Sequence, residues 1–278
     1  MKEIFDKFSA ECSKMVTKRY STSFSLGIYF LNEKLRDPIY AIYGFVRLAD
    51  EIVDSFHDYD KVLLLSKFKR DCFEAIEEGI SLNPVLNSFQ YVVNKYHIKI
   101  ELIELFLQSM KMDLKQELYT PEKYDQYILG SAQVVGLMCL QVFTEGDRKQ
   151  YEKLKDSAMK LGSAFQKVNF LRDLKADYYT LSRNYFPNVT LSRFSNVEKE
   201  LIEEEIEAEF KLALIGIRQL PDTSRNGVYL AYVYYKNLFH KIKRSTAEKI
   251  MSERIRISSA HKFGLMFDSI IRYKTNTI

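Results

Sequence analysis

Residues 161–187 read LGSAFQKVNFLRDLKADYYTLSRNYFP, and the first part of this stretch, 161–179, decides the fold. Gln166, Asn169, Asp173 and Asp177 follow one another at spacings of three, four and four. Side chains three and four apart share one face of an α-helix. Two amides and two carboxylates therefore fall on a single line, with Arg172 beside it. Leu161, Phe165, Val168 and Leu171 give that line an apolar flank. Solubility explains such a row poorly. An all-oxygen donor set on a rigid helix suits magnesium, which takes oxygen ligands and retains several waters.

A second row lies upstream, in YAIYGFVRLADEIVDSF at 40–56. Here Tyr40, Tyr43, Arg47, Asp50 and Asp54 are spaced three, four, three and four. An acidic pair one turn apart is often just solvated surface. Asp113/Glu117, Glu200/Glu204 and Glu203/Glu207 have the same spacing. What separates Asp50/Asp54 is the aromatic and apolar company and the arginine on the same stripe. The two rows explain each other if their helices face across a cavity. Two unit charges ~6 Å apart repel by roughly 3 kcal/mol at an effective dielectric near 20. Divalent cations bridged by an anionic diphosphate would relieve that repulsion. Arg47 and Arg172 can clamp the diphosphate or hold the nearby aspartates, and the two roles are compatible.

The rest of the chain reads as helices. Ile39, Ile42, Phe45, Val46 and Ala49 recur at helical spacing, as do Leu102, Leu105, Phe106, Ser109 and Met112. Asp37-Pro38, Asn83-Pro84 and Thr120-Pro121 each set a capping residue before a proline and predict helix starts. Pro187 and Pro221 follow predicted helix ends. Residues 199–218 predict an amphipathic helix facing solvent. With only 10 Gly and 5 Pro in 278 residues, long helices are favoured over a turn-rich β architecture. The expectation is one all-α domain over residues 1–278, of about ten helices, with loops near 55–60, 80–84, 117–121, 145–149 and 178–197.

A net charge of +4 and the lack of a binding motif argue against nucleic acid as a partner. Cys12, Cys72 and Cys139 are widely spaced and predict free thiols in a reducing compartment. The N-terminal stretch has no apolar signal core, and no stretch reads as a membrane span. The expected location is the cytoplasm, with peripheral contact at the inner membrane face left open, as is oligomeric state. His57, His97, His240 and His261 sit in no triad setting and predict surface positions. Residues 228–240, VYLAYVYYKNLFH, form an aromatic helix for which core outranks exit channel or membrane contact.

These motifs together resemble the squalene/phytoene synthase family, over nearly the whole chain. Tyr20-Ser21-Thr22-Ser23-Phe24 resembles its N-terminal Ser-x-Ser-Phe segment, and Tyr40–Asp54 its first aspartate-rich motif. YILGSAQVVG at 127–136 resembles its Tyr-rich helix, and Leu161–Pro187 its second motif with the Arg-x-Tyr-x-Pro segment. The resemblance implies an isoprenoid-synthase-type helical bundle around a central cavity. It implies magnesium ligands at Asp50, Asp54, Asn169, Asp173 and Asp177. It implies substrate contacts from Ser21, Ser23, Phe24, Arg47, Gln166, Arg172, Arg183, Tyr185 and Tyr235, with Tyr43 and Tyr127 at the reacting centre. Arg183 and Tyr185 would sit on a loop over the diphosphate. The first motif departs from the pattern in having Asp50-Glu51 where two aspartates are usual, and Gln133 stands where a small residue is common. The implied reaction joins two isoprenoid diphosphates head to head through a cyclopropyl diphosphate. Leu26, Gly27 and Ile28 are modest in size and leave room for a long tail. That favours two geranylgeranyl diphosphates giving 15-cis-phytoene by way of prephytoene diphosphate. The alternatives are dehydrosqualene or squalene from farnesyl diphosphate, the last requiring NADPH, and a non-catalytic scaffold on the same fold.

Overall fold

A computed structural model describes residues 1–115, 119–181, 183–187, 189 and 194–258, together with 264, 265, 269 and 275. His261 lies outside the described residues; the other three histidines are exposed. Twelve α-helices and one π-helical turn make up the described chain, and no strand occurs among the described residues. In order they are α1 (Lys2–Tyr20), α2 (Thr22–Tyr29), α3 (Glu33–Asp54), α4 (Lys61–Glu78), α5 (Pro84–Tyr96) and α6 (Ile100–Met112). Then come α7 (Pro121–Ile128), the π turn (Leu129–Gln133), α8 (Val134–Phe143) and α9 (Arg148–Tyr179). The last three are α10 (Asn196–Ile217), α11 (Asp222–Lys243) and α12 (Ala247–Ser252).

Local chemistry sets most of these boundaries. Asn83 Oδ1 accepts from Val85 N at 3.0 Å with Pro84 in the first turn, and Thr120 Oγ1 accepts from Lys123 N at 3.3 Å ahead of Pro121. Ser195 and Glu198 form a reciprocal capping box at the start of α10. The Asp37-Pro38 expectation fails. The helix begins earlier, capped by Asn32, whose Oδ1 accepts from Lys34 N at 3.2 Å, and Pro38 lies inside α3. Pro38 lies past the first turn, so its missing N–H leaves the carbonyl of Lys34 without its usual donor.

α3 runs through the middle of the bundle. Phe45 is fully buried there and stacks on Phe89 of α5, with ring centroids 3.9 Å apart. The π turn lies where three backbones touch. A Cβ at Gly130 would come within 2.5 Å of Leu105 O, and one at Gly162 of α9 within 2.5 Å of Ala132 O. Only glycine lets α6, the π turn and α9 approach this closely. Turns of this π type are frequent at functional sites.

Two expectations about polarity need correction. An 18-residue window within Pro121–Phe143 reaches mean hydropathy 1.3, the length and composition of a membrane span, where none was expected. Half of that window is buried inside the bundle. In α10 the alternation is not a simple solvent face either. Glu203 and Glu209 are buried, against Lys199 and Lys167 respectively. The 228–240 stretch in α11 is mostly core, as expected. The three cysteines are free, with Cys72 buried.

Candidate active site

Both acidic rows open into one cavity of about 650 Å³. From α3 come Tyr43, Arg47, Asp50 and Asp54, and from α9 come Gln166, Asn169, Arg172, Asp173 and Asp177. The lining of α3 extends from Ile39 to Asp54, about 22 Å at 1.5 Å per residue. Its polar end is the mouth. The other end is apolar, closed by residues such as Ile28, Leu31, Leu140 and Leu220. Tyr40, though on the predicted stripe, does not line the cavity. It is buried toward α1, with Lys14 Nζ 5.9 Å from its ring. The 3.5-residue average of that stripe drifts around a 3.6-residue helix over several turns.

At the mouth the carboxylates are held by arginines. Arg47 donates from Nη1 to Asp50 Oδ2 at 2.5 Å and from Nη2 to Glu51, and its guanidinium lies 4.3 Å over the Tyr20 ring. The glutamate at position 51 thus serves to fix Arg47. Arg172 grips Asp173, its sequence neighbour, with Nη2 2.5 Å from Oδ2. Arg183 lies in the loop after α9. Its Nη1 donates to Asp54 Oδ1 at 2.6 Å and its backbone N–H to Asp177 O at 2.7 Å. It therefore ties the end of α9 to the end of α3. Arg254, following α12, places Nε 2.6 Å from Asp173 Oδ1.

Negative charge still exceeds what these arginines offset. Burial, then the charge of Asp173, push the Asp177 carboxyl up to about 8 from an ordinary 3.8, with Arg183 opposing and Asp54 and Asp113 adding. Asp54 belongs to α3, in keeping with the two rows lining one cavity and sharing Arg183. Asp50 is raised as well, by burial and then by Asp54, although 35% of its side chain stays open to the cavity.

Aromatic rings form a collar just below the mouth. Phe24 lies 5.7 Å from both Tyr43 and Tyr235, and Tyr235 stacks on Phe165 at 3.8 Å. Tyr235 OH donates to Asn169 Oδ1 at 3.3 Å. Ser21 caps α2, accepting from Phe24 N at 3.2 Å, and also bonds Tyr43, whose hydroxyl burial pushes up to about 12. Ser23 is half-buried in α2 and does not line the cavity; in an α-helix it points away from its neighbours Ser21 and Phe24. Gln133 does not line it either, and the π turn presents Ser131 and Ala132 instead. Every other site residue named from the sequence lines this one cavity.

Two residues were missed. Arg254 carried no motif. Asp113 shared its spacing with a solvated pair, yet it is only 8% exposed. It accepts from Tyr127 OH at 2.7 Å and from Tyr185 OH at 2.9 Å. Burial raises its carboxyl to about 6, against the pull of Arg183 and Tyr127. The available signal was KMDL at 111–114, a lone acid closing an otherwise apolar helix face.

An all-α bundle with opposed acidic rows over an oily pocket defines a class of isoprenoid synthase architecture. The model of the squalene/phytoene synthase family matches residues 17–261, and the chain belongs to that family. A phytoene synthase of Arthrospira platensis is 26% identical over 263 residues, covering 85% of this chain and 84% of its own. A 4,4'-diapophytoene synthase of Staphylococcus haemolyticus is 28% identical over 282 residues, covering 93% and 95%. The crystal structure of a dehydrosqualene synthase with a ligand superposes at a TM-score of 0.83 over 97% of this chain and 98% of its own, with 19% identity. That structure is similar in fold. The family is one of head-to-head isoprenoid synthases acting on isoprenyl diphosphates.

Proposed function

We propose that this chain joins two geranylgeranyl diphosphates head to head, through a cyclopropyl diphosphate, to give 15-cis-phytoene. The observation that carries the diphosphate site is that Asp50 and Asp54 of α3 and Asn169, Asp173 and Asp177 of α9 line one cavity together with Arg47, Arg172 and Arg183. A diphosphate bound through divalent cations and arginines would offset those carboxylates.

The donor set also fits magnesium. Among the described residues no three carboxylate, histidine or cysteine side chains form a protein-only cage. Magnesium commonly uses one or two carboxylates together with waters and substrate phosphates. Asp50 and Asp54 from one side, and Asn169, Asp173 and Asp177 from the other, would hold it. Bound there, it would neutralise the carboxylates and act as a Lewis acid on the leaving diphosphate. The chain's own residues do the remainder. Arg47, Arg172 and Arg183 orient the anion, with Gln166 at hand. Phe24, Tyr43, Tyr127 and Tyr235 exclude water and turn ring faces to a developing cation.

The long substrate is supported by the deep end. Gly27 and Ile28 line it, whereas Leu26 does not. A second reading, farnesyl diphosphate giving dehydrosqualene, is favoured by the end-to-end match to the diapophytoene synthase. Incubation with each diphosphate, with magnesium and with or without NADPH, separates them. The expected result is phytoene from the C20 substrate irrespective of NADPH. A C30 product alone would establish the second reading, and no product from either would reject both.

A further inference from the structure

Three elements meet at Asp113, the residue that ends α6. Its Oδ2 accepts the Tyr127 hydroxyl from α7 at 2.7 Å, and its Oδ1 accepts the Tyr185 hydroxyl from the loop after α9 at 2.9 Å. Its backbone oxygen accepts from Arg183 Nη2 at 3.0 Å, while Arg183 Nη1 reaches Asp54. The rings are fixed too. Tyr185 stacks on Phe170 at 4.2 Å and lies 4.9 Å from Tyr127. All of these residues line the cavity.

We infer that Asp113 is a positioning residue that aims the two phenols: by taking both hydroxyl hydrogens it turns oxygen lone pairs and ring faces, not O–H bonds, toward the cavity, with one Tyr185 lone pair accepting from Arg183 Nη1 at 3.3 Å. A carboxylate only accepts, and each phenol has one hydrogen to give. Once that hydrogen is committed to Asp113, a cation forming in the cavity meets electron-rich oxygen instead of the positive end of an O–H bond. Dipoles fixed in advance toward developing charge are the most effective kind of catalytic electrostatics. The inference rests on the cation-forming reaction proposed above.

Asp113→Asn separates aiming from mere support. The amide matches the carboxylate in shape but accepts through one atom only. Its nitrogen must donate to one phenol, whose own hydrogen then turns into the cavity. With the wild-type substrate, kcat should fall roughly 10- to 100-fold, equivalent to about 1.4–2.7 kcal/mol. KM should change less than kcat, and the Kd for inorganic diphosphate with magnesium should not weaken, since the carboxylate removed touches no anion and instead faces Arg183 Nε at 3.8 Å. In a Tyr127→Phe or a Tyr185→Phe background the amide oxygen can serve the remaining phenol. There the further loss from D113N should shrink to less than about threefold in at least one background, a non-additivity that a purely structural role would not produce. An unchanged kcat in D113N, or the same fold-loss in both phenylalanine backgrounds, overturns the inference. Should the wild-type protein turn over neither isoprenoid diphosphate, the functional reading fails separately. The aiming is then still read in the ligand-free protein from the tyrosine Raman doublet that reports phenol hydrogen-bond donation. D113N must move one tyrosine from donor toward acceptor, and an unchanged doublet overturns the inference on its own.

Discussion

α9 carries charge on two faces, and the bundle treats them differently. Toward α10, Lys167 is buried with Nζ 2.5 Å from Glu205 and 2.9 Å from Glu209, and Ser163 Oγ donates to the same Glu209 oxygen at 2.9 Å. That seam is a cross-helix tie in which a buried cation is answered by carboxylates on the spot. Toward the cavity, five lining aspartates meet four lining arginines, and Glu51 occupies part of Arg47. At the seam every buried charge has an opposite charge within the chain, although Glu209 Oε2 accepts no hydrogen bond, whereas at the mouth the carboxylates outnumber the arginines. The seam is therefore close to neutral by itself, and the mouth leaves a charge deficit for a ligand.

The contrast can be broken most severely at the mouth. Asp54→Ala or Asp173→Ala should cut turnover at least about 1000-fold, roughly 4 kcal/mol in the barrier, while far-UV circular dichroism keeps its helical form. Turnover within tenfold of wild type would show that the acidic rows are not the reaction site. At the seam the same kind of change should act on stability. Lys167→Met removes the buried cation from Glu209, which keeps Ser163 Oγ at 2.9 Å and Lys160 Nζ at 3.3 Å, and should cost about 2 kcal/mol in urea unfolding, as losing a charged hydrogen bond does. Its kcat, measured below the melting transition, should change little. A large activity loss with unchanged stability would erase the distinction between the faces.

Proton linkage sharpens the comparison. Asp177 and Asp113 have folded-state values of about 8 and about 6, above the ordinary carboxylate value. A raised carboxyl favours the protonated folded form, so the ligand-free protein should gain stability as pH falls from above 8 toward the ordinary carboxylate range. Cations compete with those protons. The melting-temperature rise from magnesium plus inorganic diphosphate should therefore be larger at pH 8.5 than at pH 6, by about tenfold in apparent affinity or roughly 1.4 kcal/mol. Equal shifts at both pH values would mean that the mouth does not release protons on binding. The smallest effect lies far from both faces. Thr120→Ala removes the cap of α7 and should cost about 1 kcal/mol, with no change in kcat beyond that expected from stability.

Spacing by itself determined the helices and the two rows, because a helix of 3.6 residues per turn makes three-and-four spacing a statement about faces. Capping chemistry fixed most starts for the same local reason, and the aromatic and acidic positions within one helix could be named in advance. What spacing could not decide was which faces meet. Asp113 and Glu203 each belong to an acidic pair of the same i,i+4 kind as Asp50 and Asp54. Only packing made the first a hub for two tyrosines and the second a buried partner of Lys199. The same limit applied to Ser23, Tyr40 and Arg254, whose places depend on how α2, α3 and the segment after α12 rotate against their neighbours. Burial and long-range charge are sums over residues remote in sequence, so they come into being only when the tertiary structure brings those residues together.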